Sequence, residues 1–181
     1  MRKILFAISL LGALTLVLAA SAAAPANFAG TWELDKSKSQ GLSRGMQGAD
    51  SVQWIITQDG KQIAVDTKIT GGDMAAGGGG GGGGRPGGGA MGPRSYNLDG
   101  SETKVDMGQG KATRKSNWSS DGQTLELWQK STFTGQDGTE RTSTSTDKLQ
   151  LSGDGKVLTV NRHSEGGRGG PQDSTLVFNK K

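Results

Sequence analysis

The sequence predicts an all-β fold: an up-and-down antiparallel β-barrel of eight to ten strands with a disordered glycine-rich loop. Three observations predict it. Glycine accounts for 32 of the 181 residues, and each glycine inside a helix costs up to about 1 kcal/mol relative to alanine. Asp-Gly pairs, which favour hairpin turns, recur along the chain. Between them, apolar and polar residues alternate as they do in strands with one buried face.

The Asp-Gly pairs divide the chain into short segments. They begin at Asp59, Asp99, Asp121, Asp137 and Asp154. Both residues of such a pair tolerate positive φ, so the pairs predict two-residue type I′ turns between antiparallel neighbours. The expected connectivity is therefore a meander.

Ten segments between these turns are rich in β-branched and aromatic residues, as strands are. The predicted strands are Thr31–Leu34, Val52–Gln58, Gln62–Ile69, Ser95–Leu98, Thr103–Met107, Ala112–Ser119, Thr124–Phe133, Arg141–Leu151, Val157–His163 and Ser174–Phe178. An up-and-down sheet of this many strands usually closes, because closure removes its exposed edges. A two-layer sandwich is the alternative, but sandwiches use Greek-key rather than meander connections.

Alternation also predicts which side chains face the interior. Trp54 and Ile56 share the apolar face of the second strand. The sixth and eighth strands are polar on both faces, with Arg114 and Ser116 in one and the run Thr142–Thr146 in the other. If a polar face turns inward, the barrel has a partly wet interior, and this feature suggests a cavity.

The chain begins with features of a secretory signal peptide. After a short basic start, residues Ile4–Leu18 are almost wholly apolar, and the small residues Ala20–Ala22 follow. The apolar run is shorter than the ~20 residues that a membrane span needs. We therefore expect a signal peptide over residues 1–24, a single barrel domain over residues 25–181, a periplasmic or secreted location, and no stable membrane anchor after cleavage.

A second compositional segment covers residues 71–94, of which 14 of 24 are glycine. Such a segment has almost no side chains to bury and a high ordering cost, which predicts a flexible insertion loop between the third and fourth strands. Arg85 and Arg168 lie in Arg-Gly contexts similar to those of RNA-binding segments. RNA-binding segments carry many more arginines, so no nucleic-acid partner is expected.

The residue inventory also argues against catalysis. Cysteine is absent, and His163 is the single histidine, which excludes cysteine nucleophiles and sites with several histidine or cysteine metal ligands. A general base needs an orienting partner and a nucleophile in reach. Neighbours along a strand point to opposite faces, so His163 has no such partners beside it and is expected at the surface or the barrel end. The sequence thus predicts a non-enzyme without cofactor or metal; a hydrolase or isomerase using interior Arg and His is the weakest alternative.

Residues Phe28–Asp35, followed by Lys38 and Ser39, resemble the opening of small exported bacterial lipocalin-like β-barrel proteins. The Gly30-x-Trp32 element is similar to the Gly-x-Trp signature at the start of lipocalin barrels. In that family the tryptophan closes the barrel, and an arginine near the last barrel strand packs across it. The resemblance implies these closure roles for Trp32 and Arg162.

Composition, alternation and resemblance together lead to one expected function and one alternative. The first is an exported lipocalin-like barrel that binds a small apolar or amphipathic molecule, with Trp54, Arg114 and Trp118 lining the cavity. The alternative is a non-catalytic structural or interaction protein whose barrel is filled by side chains. An open interior of several hundred Å³ would favour ligand binding.

Overall fold

The computed structural model confirms the predicted fold class. It describes residues 24–71, 92–108, 110–135, 138–166 and 170–181. Over these residues the chain forms ten antiparallel strands in a single sheet that rolls into a nearly closed up-and-down barrel. Every predicted strand is present, with ends shifted by a few residues.

The strands follow each other around the barrel in sequence order. Their bounds are β1 Gly30–Leu34, β2 Ser51–Gln58, β3 Gln62–Thr70, β4 Arg94–Asn97, β5 Thr103–Asp106, β6 Gly110–Trp118, β7 Thr124–Thr134, β8 Glu140–Leu151, β9 Val157–Glu165 and β10 Gln172–Lys180. The first strand pairs with both β2 and the last strand, β10, which joins the two ends of the sequence within the sheet. The strand edges left without a ladder partner belong to β4 and β5.

The seam between β4 and β5 is bridged by a side chain. The Ser116 hydroxyl on β6 donates to the carbonyl oxygen of Asn97, at the end of β4, over 2.6 Å. Because β4 and β5 contain only four residues each, both unpaired edges are short. Short edges limit pairing with other chains.

The hairpin turns differ from the predicted type I′ geometry. No non-glycine residue among those described has a positive φ, whereas type I′ turns need positive φ at both central positions. In the β6–β7 turn, Gly122 N–H donates to the Ser119 carbonyl over 2.9 Å, and Gly122 itself has φ +68°. The pairs at Asp99, Asp121 and Asp154 therefore form turns in which only the glycine, Gly100, Gly122 or Gly155, has a positive φ, whereas Gly60 after Asp59 does not.

One short helix was not predicted. Helix α1, Arg44–Gly48, begins at the N-cap Ser43, whose hydroxyl accepts from Met46 N–H. Met46 and Leu42 pack against the core, so the connection between β1 and β2 covers part of the barrel. Among the described residues, no helix is long and apolar enough to cross a membrane.

The apolar core fills one end of the barrel. The segment before β1 lies across this end: Ala26 N–H donates to the Gly122 carbonyl, and the Gln58 side chain bonds both Ala26 and Phe28. Phe28 is fully buried, and its ring stacks on Trp118 with 6.0 Å between centroids. The residues just after the expected cleavage region thus plug the barrel.

Two predictions fall largely outside the described residues. The expected signal peptide covers residues 1–24, of which 1–23 lie outside, and the expected glycine-rich loop covers residues 71–94, of which 72–91 lie outside. The last residue of that expected loop, Arg94, is instead the first residue of β4. Its side chain belongs to the candidate site.

Candidate functional site

The inward side chains change from apolar to polar along the barrel. On β8, Leu149 is fully buried and faces inward. Asp147 and Ser145, two and four residues before it, share this inward face. On β9, Val160 gives way in the same manner to Arg162. Because alternate residues share one face, these strands present an apolar end, a charged middle and a serine-lined far end.

A carboxylate and two arginines meet in the charged middle. Arg162 donates two hydrogen bonds to Asp147, Nε to Oδ1 at 2.6 Å and Nη2 to Oδ2 at 2.8 Å. Arg94 Nη1 lies 3.9 Å from the same Oδ2. Burial alone would raise the pKa of Asp147, but the charge and hydrogen bonds of Arg162, helped by Arg94, hold it below its ordinary value. Asp147 is therefore ionised.

Trp54 lies against both of these arginines. The guanidinium carbons of Arg94 and Arg162 are 5.7 and 5.6 Å from the indole centroid, within cation–π range. Trp54 is 1% exposed, yet its indole Nε1 has no hydrogen-bond partner among the described residues. Buried indole N–H groups usually have partners, so Trp54 departs from this rule.

Arg114 is the least compensated charge of the interior. It is 5% exposed, and its Nε donates to Gln129 Oε1 over 2.8 Å while its guanidinium lies 6.0 Å from the Tyr96 ring. Within the described part of the chain, no carboxylate lies at ion-pair distance from it. Burial, together with repulsion from Arg94, lowers the pKa of Arg114. Its charge is held in place by neutral groups alone.

Beyond the charged layer, the inward positions of β7, β8 and β9 are mostly small and polar, and Phe133, 40% exposed, continues the inward phase at the end of β7. The small polar residues are Ser131, Ser143, Ser145 and Ser164. Ser143, Ser145 and Ser164 are only partly buried although alternation turns them inward, so solvent reaches this half of the interior. Ten-stranded barrels are wider than those of eight strands, and four serines cover little of such a cross-section.

The closure contact at Trp32 involves a different cation from the expected one. Trp32 is fully buried, and its indole N–H donates to the Phe28 carbonyl over 2.9 Å. The cation above its ring is Lys180, with Nζ 5.2 Å from the centroid. The expectation that Arg162 packs across Trp32 is wrong: Lys180 lies opposite Trp32 in the β1–β10 ladder, whereas Arg162 is held by Asp147.

Gly30 makes room for this lysine. It has φ +143°, and a Cβ at this position would lie 3.1 Å from Lys180 Cε. A larger residue would therefore be strained in the backbone and would push the lysine from the ring. The Gly-x-Trp element and the last strand thus form one closure unit.

The predicted lining residues separate into two places. Trp54 and Arg114 lie in the charged layer, linked by Arg94 and Tyr96 on β4. Trp118 is four residues beyond Arg114 on β6, roughly 13 Å along the strand, and it belongs to the plugged end with Phe28.

Asp147, Arg94 and Tyr96 were missed as site residues. Asp147 lies on the same face of β8 as Leu149 and Leu151. The alternation pattern alone therefore predicts a carboxylate that faces the interior. Arg94 and Tyr96 likewise share one phase in β4.

His163 is exposed, as expected, and lies between two carboxylates. Its Nδ1 is 2.7 Å from Asp173 Oδ1 and its Nε2 is 3.2 Å from Glu165 Oε1. The hydrogen bond to Asp173, followed by that to Glu165, raises the pKa of His163 above 6.5. Protonation therefore favours the folded state, an effect present below the unfolded pKa and lost as pH rises through the folded one.

We expect Asp173→Asn to lower the pKa of His163, because the substitution removes the largest stabilisation of the imidazolium. Since the chain has one histidine, a single imidazole resonance reports the titration by NMR. Asp154→Asn, in a distant turn, is the control and should leave that pKa unchanged. An equal pKa in wild type and Asp173→Asn would contradict the geometry.

Two depressions lie on the outer wall. One, of about 400 Å³, is lined by outward residues that include Thr146, Asn161 and Thr175, and also by Arg162 and Ser174 from the inward phase of β9 and β10. The other, of about 530 Å³, lies beside Lys111 and Thr132. Both are open to solvent, unlike the enclosed pockets that hold small organic ligands.

Comparison with known proteins gives no relative: no protein family, no curated protein and no solved structure matches the chain significantly.

Proposed function

We propose that the protein is an exported, non-catalytic, lipocalin-like barrel that binds a small amphipathic molecule in its interior. The observation that carries the proposal is the layer of Arg94, Arg114 and Arg162 around the single carboxylate of Asp147. A buried charge is costly unless it is paired. The layer has two more guanidinium groups than carboxylates, and the Trp54 donor beside it has no partner among the described residues. A polar molecule that enters the barrel would explain both features.

The closure unit and the serine-lined half also support this proposal. Trp32 with Lys180 places a cation on the last strand above the first-strand tryptophan, which is the arrangement implied by the lipocalin resemblance apart from the identity of the cation. The plugged end leaves the serine-lined end as the route to the charged layer. A molecule entering there meets partly exposed serines first and the arginines after them.

The experiment uses neighbouring residues of β8 that face opposite ways. Ser145 turns inward, whereas Thr144 turns outward. We expect phenyl-naphthylamine, a neutral apolar probe, to fluoresce on binding the wild type, and Ser145→Phe to abolish that signal because its ring fills the interior. Thr144→Phe should keep it. Loss of the signal in both variants or in neither would contradict binding inside the barrel.

The second candidate function is a structural or interaction protein with a filled barrel. The location of both depressions on the outer wall favours it. In that case the wild type should give no probe fluorescence, while Ser145→Phe should lower the free energy of unfolding through overpacking, typically by about 1–3 kcal/mol. Probe binding and stability therefore separate the two functions.

A further inference from the structure

The charged layer also indicates which end of the ligand it receives. We propose that Arg114 and Arg94, with the indole N–H of Trp54, hold an oxyanion on an apolar skeleton, such as a carboxylate, sulfonate or phosphate monoester. This inference rests on the proposed function and adds the charge of the ligand to it.

The two arginines differ from Arg162 in how their charge is balanced. Arg162 has two short hydrogen bonds to Asp147, so its fork is occupied. Arg94 makes only a 3.9 Å approach to that carboxylate, and its side chain is 25% exposed. Arg114 uses Nε on Gln129, which leaves its terminal nitrogens without a carboxylate among the described residues. Guanidinium groups with free terminal nitrogens suit bidentate oxyanion binding.

Neutral donors complete the same surface. Arg94 and Tyr96 lie two residues apart on one face of β4, and they contact Trp54 and Arg114 respectively. The unpartnered Trp54 Nε1 is therefore near the arginines. The buried hydroxyl of Thr103, directly opposite Arg114 in the β5–β6 ladder, also has no partner among the described residues. Unsatisfied donors beside excess positive charge match an acceptor-rich anion rather than a cation or a neutral amine.

Two probes with one aromatic skeleton test this inference. Anilinonaphthalene sulfonate carries a sulfonate that phenyl-naphthylamine lacks, and both fluoresce in apolar sites. Wild type should bind the sulfonate probe at least about tenfold more tightly, the gain expected from charge-assisted hydrogen bonds. Arg114→Gln should remove that preference, so that the ratio of the two affinities falls to about one. Lys115→Gln, which removes an outward charge paired with Glu102 at 2.9 Å, should change neither affinity.

The outcomes separate the two proposals. If both probes bind equally and Arg114→Gln changes neither affinity, interior binding stands and the anion inference is overturned. If neither probe binds the wild type, both proposals are overturned. Should Arg114→Gln fail to fold, Arg94→Gln replaces it, because Arg94 is partly exposed; a retained preference for the sulfonate probe in that variant would also overturn the inference.

Discussion

Replacing Trp32 with alanine is expected to lower the free energy of unfolding by about 3–5 kcal/mol, the usual loss for a buried tryptophan. Trp32 is fully buried, its indole N–H bonds the Phe28 carbonyl, and Lys180 covers its ring. The substitution removes these contacts together and opens a cavity beside the N-terminal plug. Since a domain of this size has about 5–15 kcal/mol of stability in total, much of the protein should unfold on mild heating.

The matched control is the next residue, Glu33, which faces the opposite way. It is partly exposed and contacts Ser51 and Lys181 at the surface. Exposed pairs contribute up to about 1 kcal/mol, so Glu33→Ala should have a small effect. Urea unfolding of both variants measures the difference. Equal stability of the two variants would contradict the closure unit and the lipocalin-like interpretation based on it.

Replacing Asp147 with asparagine is expected to lower the free energy of unfolding by about 3 kcal/mol. Breaking a buried ion pair by removing one partner typically costs about 3–5 kcal/mol, because the other charge stays buried. The lower end of this range applies, because the Arg162 and Arg94 side chains are 20% and 25% exposed to solvent. Urea unfolding at neutral pH measures the loss. Because the pKa of Asp147 is lowered by folding, this stabilisation is present above the unfolded pKa and disappears in acid as pH falls through the folded one.

Two further variants isolate the cause. Glu126→Gln removes an outward carboxylate 3.5 Å from Lys148 and should change the free energy of unfolding by less than about 1 kcal/mol. Asp147→Leu combined with Arg162→Met removes both partners and should be more stable than Asp147→Asn, because Arg162 no longer stays buried without its carboxylate. A double variant less stable than Asp147→Asn would contradict this assignment.

The strands were predictable because each depends on local sequence. Alternation around Trp54 and around Leu149 identifies the inward face without knowledge of any partner strand. The Asp-Gly pairs located the turns correctly, but their turn type depends on residues before the pair, such as Ser119 in the β6–β7 turn. Helix α1 has too few apolar residues to show a helical period.

The contacts of the site were not predictable in the same way. Which cation covers Trp32 depends on the register of β1 with β10, which are the two ends of the sequence. Likewise, Arg94 meets Asp147 only because β4 and β8 face each other across the barrel interior, a relation that no local pattern encodes. The sequence therefore predicted inward residues such as Arg114, but not their partners.

The most direct test of ligand binding in the interior follows the four tryptophan indole N–H signals by NMR, assigned with single Trp→Phe variants, during addition of anilinonaphthalene sulfonate. Trp54 Nε1 has no hydrogen-bond partner among the described residues, whereas Trp128 faces outward beside Lys115 and Thr146. We expect the Trp54 signal to shift strongly and saturate while the Trp128 signal stays fixed. A shift of Trp128 with an unchanged Trp54 would place the molecule on the outer wall and contradict binding in the barrel.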